Sequence, residues 1–72
     1  MNLKNRRRLL KVSQKELAKN IGVTNDYISK LERNNKIPSV ILIQKISNYL
    51  TKIALEQNMP PEIFSIESIF FK

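Results

Sequence analysis

The chain has 72 residues, with thirteen Lys or Arg against six Asp or Glu for a net charge of +7, and it contains neither Cys nor His. Disulfide staples, zinc fingers, thiol nucleophiles and imidazole bases are thereby excluded. So short a chain makes one small domain near the limit at which a hydrophobic core alone suffices, and a homodimer sharing its core is a reasonable expectation.

The charge is unevenly placed. Residues 1–36 carry ten Lys or Arg against Glu16, Asp26 and Glu32, while residues 37–72 carry three of each sign. A cationic half-domain attracts polyanions and gains affinity by releasing their counterions. Composition alone leaves DNA, RNA and anionic membrane open as targets. No apolar run approaches the roughly 20 residues of a membrane span. The basic N-terminus lacks the apolar stretch of a signal peptide, so the expected setting is soluble and cytoplasmic, with no membrane partner.

In chain order, residues 2–11 read as a first helix with Leu3, Arg7 and Leu10 on one stripe and Lys4, Arg8 and Lys11 turned outwards. Arg7 is anomalous, since a charge on an apolar stripe is tolerable only when paired and hydrogen-bonded. Glu32 occupies an inward position on a later helix, and the two are inferred to pair, the alternative being that both side chains reach out to solvent.

Residues 13–33, SQKELAKNIGVTNDYISKLER, organise the rest. Ser13 is a capping residue ahead of Leu17, Ala18 and Ile21 at helical spacing, and the sole glycine, Gly22, ends that helix. Thr24 caps a second helix carrying Ile28 and Leu31. Two short helices joined by a tight turn at Gly22 to Thr24 form a helix-turn-helix.

This stretch resembles the Cro/C1-type (XRE-like, lambda-repressor-like) DNA-binding domain over roughly residues 3–50. Gln14 stands in the first turn, Glu16-Leu17-Ala18 follow, Ile21-Gly22-Val23-Thr24 form the turn, and Tyr27 to Arg33 continue the second helix. The resemblance implies an all-α, lambda-repressor-like bundle of four to five helices, in which Arg7 and Glu32 are a structural ion pair. It also implies double-stranded DNA as partner; from the residue types and their spacing, no cofactor and no metal are expected. The family pattern has glycine where Asn34 stands, a mild departure because asparagine tolerates a left-handed backbone.

Beyond Arg33 a loop runs to Pro38, and Ser39 caps a helix with Val40, Ile43, Ile46 and Leu50 on one side and Leu42, Tyr49 and Ile53 on another. So wide an apolar arc predicts burial on two sides. A break is usual after Leu50 in the family, but here the helix is free to run to Gln57 and stop at Asn58. Residues 1–58 are read as the helix-turn-helix domain and 59–72 as a turn at Pro60 to Phe64 followed by an apolar segment. Residues 65–72 read equally as a helix end or a strand. Ile66, Ile69, Phe70 and Phe71 cover either the core or a subunit interface.

In a helix-turn-helix the second helix enters the major groove and its leading residues reach base edges. Those are Thr24, Asn25, Asp26 and Lys30, with Ser29 flanking. Asn25 has the amide geometry for adenine, and Lys30 is a donor for guanine. Asp26 either accepts from cytosine or stabilises the positive helix N-terminus, and the second reading is preferred. Phosphate contacts are expected from Tyr27, Arg33, Asn35 and Lys36, and from Gln14 by resemblance to the family's phosphate-binding glutamine. Arg6, Arg8 and Lys11 add either long-range attraction or solubility.

The leading expectation is a sequence-specific transcriptional regulator, a repressor binding a pseudo-palindromic operator as a homodimer and residing on the nucleoid. The alternative is an antitoxin-like module whose apolar C-terminal segment docks another protein. The six carboxylates show no paired or metal-ligand spacing, so an enzyme is not expected.

Overall fold

The computed structural model describes residues 1–34 and 36–71. Among them there are five α-helices: α1 (Leu3–Leu9), α2 (Gln14–Ile21), α3 (Asn25–Asn34), α4 (Val40–Glu56) and α5 (Ile66–Phe70), with a 3-10 turn at Pro61–Phe64 between the last two. No strand occurs among the described residues. The architecture is the all-helical, lambda-repressor-like bundle.

Four of the five helix starts, those of α2 to α5, have a side-chain cap as their local chemical cause. Ser13 Oγ accepts the Glu16 amide at 3.0 Å, Thr24 Oγ1 the Tyr27 amide at 3.0 Å, Ser39 Oγ the Leu42 amide at 3.4 Å, and Ser65 Oγ the Ser68 amide at 3.2 Å. These bonds satisfy amides that the first helical turn leaves without a partner.

Three of the stops, after α1, α2 and α4, use left-handed residues: Lys11 at φ 60°, Gly22 at φ 79° and Asn58 at φ 58°. After Lys11 the Val12 amide reaches back to the Arg7 carbonyl at 3.2 Å, and after Asn58 the Met59 amide reaches the Ala54 carbonyl at 2.9 Å. Both are the six-residue closure that ends a helix through a left-handed position. The first helix therefore ends at Leu9, not at Lys11 as the periodicity over 2–11 predicts. Lys11, expected on an outward helical face, instead turns the chain. No glycine marks that stop, which is why the pattern of apolar residues ran past it.

α4 is the spine. At about 1.5 Å per residue its 17 residues extend about 25 Å, and it packs against α2 on one side and against the 3-10 turn and α5 on the other. Ile43, Ile46, Leu50 and Ala54 are buried along it, together with Leu3, Leu10, Leu17, Ile28, Phe64, Ile69 and Phe70 from the other elements. The two-sided burial expected of α4 is thus provided within the chain. Val40 departs from the expectation: grouped with the buried stripe by spacing, it is 70% exposed. It stands in the first turn of α4, ahead of the point where neighbouring elements cover the helix.

The ambiguous tail is helical. Phe64, Ile69 and Phe70 lie in the core, and only Phe71 of the terminal apolar cluster is exposed. Ser47, buried on α4, donates its hydroxyl to the Phe64 carbonyl at 2.8 Å, which satisfies a polar group inside the core. α1 then clasps this segment. The Asn2 amide donates to the Ile69 carbonyl at 2.6 Å, Arg6 Nε to the Ile63 carbonyl at 2.9 Å, and Arg6 Nη2 to Ser68 Oγ at 3.2 Å. Arg6 is therefore a structural tie between the two ends of the domain, in place of the distant attraction or solubility that its charge suggested.

Candidate nucleic-acid interface

The interface is built on the junction of α2 and α3. At the turn, Gly22 adopts φ 79° and ψ 33°, and the Gly22 and Val23 amides both donate to the Ala18 carbonyl at 3.0 Å. A Cβ at Gly22 would meet nothing within 4 Å. The backbone angle, not crowding, is what selects glycine here. Ile28 and Leu31 bury the inner face of α3. Its leading end stays uncovered.

Thr24, Asn25 and Asp26 are exposed at that end, as is Lys30 one turn on, while Ser29 and Tyr27 are half-buried. Lys30 Nζ lies 3.1 Å from Asp26 Oδ2, with both side chains more than half exposed. An exposed pair of this spacing is worth only about 0.3–0.5 kcal/mol. It holds Lys30 in place without preventing its exchange onto a stronger acceptor. Asp26 thus has a second partner besides the helix N-terminus considered from sequence.

Lys36 and Arg33 are exposed, and Asn35 lies outside the described residues. Tyr27, Lys30, Leu31, Asn34 and Lys36 line an open hollow of about 210 Å³ along α3. Asn34 was not singled out as a site residue from sequence, although its spacing of four from Lys30 puts the two on one helical face.

Gln14 is the first residue of α2 and is half-buried. Its Nε2 donates to Glu32 Oε1 at 2.9 Å. Glu32 in turn accepts from Arg7 Nε at 2.8 Å and from Arg7 Nη2 at 3.0 Å, while Arg7 Nη1 donates to the Val12 carbonyl at 2.9 Å. The Arg7 and Glu32 side chains are 8% and 2% exposed. Burial pushes the Glu32 carboxyl up, but hydrogen bonds from Arg7 and Gln14, with the Arg7 charge, outweigh it and hold its pKa below the ordinary carboxylate value. Sequence reasoning separated Gln14 from the ion pair. The structure joins all three, so one proton of the Gln14 amide is committed and the other is left for an outside acceptor.

A turn that holds the capped, uncovered start of α3 against α2, on a strongly cationic half-domain, defines a DNA-binding helix-turn-helix unit. A model of the helix-turn-helix family matches residues 3–56, more than half of the chain. The chain belongs to the Cro/C1-type helix-turn-helix family. No curated protein and no solved structure matches it. Among the described residues no helix is long and apolar enough to cross a membrane.

Proposed function

We propose that the protein is a sequence-specific transcriptional regulator that acts as a repressor, binding a pseudo-palindromic operator as a homodimer in the cytoplasm, on the nucleoid. The observation that carries this reading is the free leading end of α3. Thr24, Asn25, Asp26 and Lys30 face solvent there while Ile28 and Leu31 anchor the helix from behind. Asn25 reads adenine through its amide, and Lys30 reads guanine after exchanging Asp26 for the base. The backbone amides at the two helix starts that the caps do not take up, with Gln14, Tyr27, Arg33 and Lys36, supply phosphate contacts, and Asn35 is assigned with them from its place in the loop. Repression follows as the simplest outcome, because occupying a promoter excludes other proteins without needing a further activating surface.

The test is selection of bound sites from random duplexes, followed by gel shifts over a range of salt. Recovery of an inverted repeat with half-sites about 34 Å apart, bound with a steep salt dependence, is the expected result. Recovery of unrelated sequences, or binding insensitive to salt, overturns the reading. A promoter carrying the recovered site should lose expression when the protein is supplied.

A further inference from the structure

The buried ion pair ends on a residue that reaches the surface. Glu32 Oε2 accepts from Arg7 Nε at 2.8 Å, while Glu32 Oε1 accepts both from Arg7 Nη2 at 3.0 Å and from Gln14 Nε2 at 2.9 Å. The Glu32 side chain is shut away from solvent, Gln14 is half-buried, and Ser13 and Lys15 on either side of it are exposed. Gln14 thus runs from an interior carboxylate to the rim of the protein.

A glutamine amide has two unlike ends, and a phosphate distinguishes them. The nitrogen carries two donors while the oxygen only accepts, so an amide free to turn offers a phosphate oxygen either a hydrogen bond or a repulsion. An ionised carboxylate only accepts. Glu32 therefore takes the nitrogen of Gln14 and rejects its oxygen, which holds in place a nitrogen with one N–H still to give. Arg7 balances the charge of Glu32, so the orienting bond is made without presenting a bare carboxylate to DNA. An ion pair that served the fold alone would need no bond to the surface.

Resting on the DNA-binding reading above, we propose that Glu32 is a positioning residue for the DNA backbone: it presents the Gln14 amide, nitrogen first, to one phosphate. Replacing Glu32 by glutamine frees the amide to turn, because the new side chain both donates and accepts. A backbone contact carries no sequence information, so the loss should be the same on every duplex. One hydrogen bond to a charged group corresponds to about tenfold in affinity.

Affinities for the selected duplex and for a random duplex, measured on protein that circular dichroism shows to be folded, test this. Gln14→Ala and Glu32→Gln should each weaken both duplexes about tenfold. The double variant should bind no more weakly than Gln14→Ala, since Glu32 then has nothing to orient. Ser47→Ala, which removes a buried hydrogen bond far from this network without changing charge, should lower the melting temperature and leave both affinities unchanged. The parent chain supplies a reading that needs no change to the ion pair. In nitrogen-edited NMR spectra the Gln14 side-chain amide, identified by its loss in Gln14→Ala, should have one proton that shifts strongly on addition of a random duplex and one, bonded to Glu32, that shifts little. Multiplying losses in the double variant, full affinity in Gln14→Ala, affinity that simply follows melting temperature through Ser47→Ala, or a Gln14 amide indifferent to DNA overturns this proposal and leaves DNA binding intact. Failure to shift any duplex overturns the DNA-binding reading itself, and this proposal with it.

Discussion

Arg7 of α1 and Glu32 of α3 meet through two hydrogen bonds, 2.8 and 3.0 Å long, inside the protein. Removing one partner leaves the other charge buried and alone, at a cost of about 3–5 kcal/mol. That is a large share of the about 4–11 kcal/mol expected for a chain of this length. Arg7→Met should therefore unfold at a much lower urea concentration than the parent. The double variant Arg7→Met with Glu32→Leu should recover most of the loss, since no charge is then stranded. Urea unfolding of the three proteins checks this, and a loss below about 1 kcal/mol for Arg7→Met would remove the pair as a stabilising element.

Acid should find the same pair. The folded pKa of Glu32 is held below its ordinary value by Arg7 and Gln14 against the upward push of burial. A depressed carboxylate contributes stability that is complete above its unfolded pKa, about 4.3, and that fades as the pH falls through the lower folded pKa. Thermal melts from pH 6 downward should show the steepest loss below about 4. In the Arg7→Met, Glu32→Leu variant that part of the pH dependence should be missing.

The two left-handed stops at Lys11 and Gly22 respond in opposite senses. A side chain in this conformation costs about 1–2 kcal/mol, and glycine gives back about 0.5–1 kcal/mol through its greater freedom when unfolded. Lys11→Gly should raise stability by about 0.5–1 kcal/mol. Gly22→Ala should lower it by a similar amount, through the backbone alone, because the added carbon meets no neighbour within 4 Å. Melting curves followed by circular dichroism would reveal equal signs if the conformational argument is wrong.

Arg6, Lys36 and Asn25 separate structure, affinity and specificity. Arg6→Met removes hydrogen bonds to Ile63 and Ser68, so it should lower stability by about 1–3 kcal/mol while leaving the salt dependence of DNA binding nearly unchanged. Lys36→Ala should weaken binding to every sequence and reduce the salt slope by about one. Asn25→Ala should cost about 1–3 kcal/mol on the selected site alone. Titrations on selected and random duplexes check all three, and equal losses on both for Asn25→Ala would contradict its assignment.

Much of this fold could be read in advance because its punctuation is local. Ser13, Thr24 and Ser39 are capping residues in sequence and in space, and Gly22 is the lone glycine at the position that requires it. The pairing of Arg7 with Glu32 was readable because an ion on an apolar stripe demands a partner. The end of α1 was not, since a lysine in a left-handed turn gives no compositional signal. Nor was the role of Arg6, whose acceptors are a backbone carbonyl and a serine more than fifty residues away. Gln14 lies between these cases: its position was legible, but its bond to Glu32 depends on the crossing of two helices that spacing alone does not give.

The bond from the Asn2 amide to the Ile69 carbonyl sets an order of events in time. Contacts between α2 and α3 join near neighbours and form fast, whereas closing a loop of nearly the full chain is slow and entropically late. The recognition unit should be assembled well before the last clasp shuts, and that clasp should be the first to spring open under load. Amides of α5 that exchanged with solvent more slowly than those of α2 would reverse this sequence.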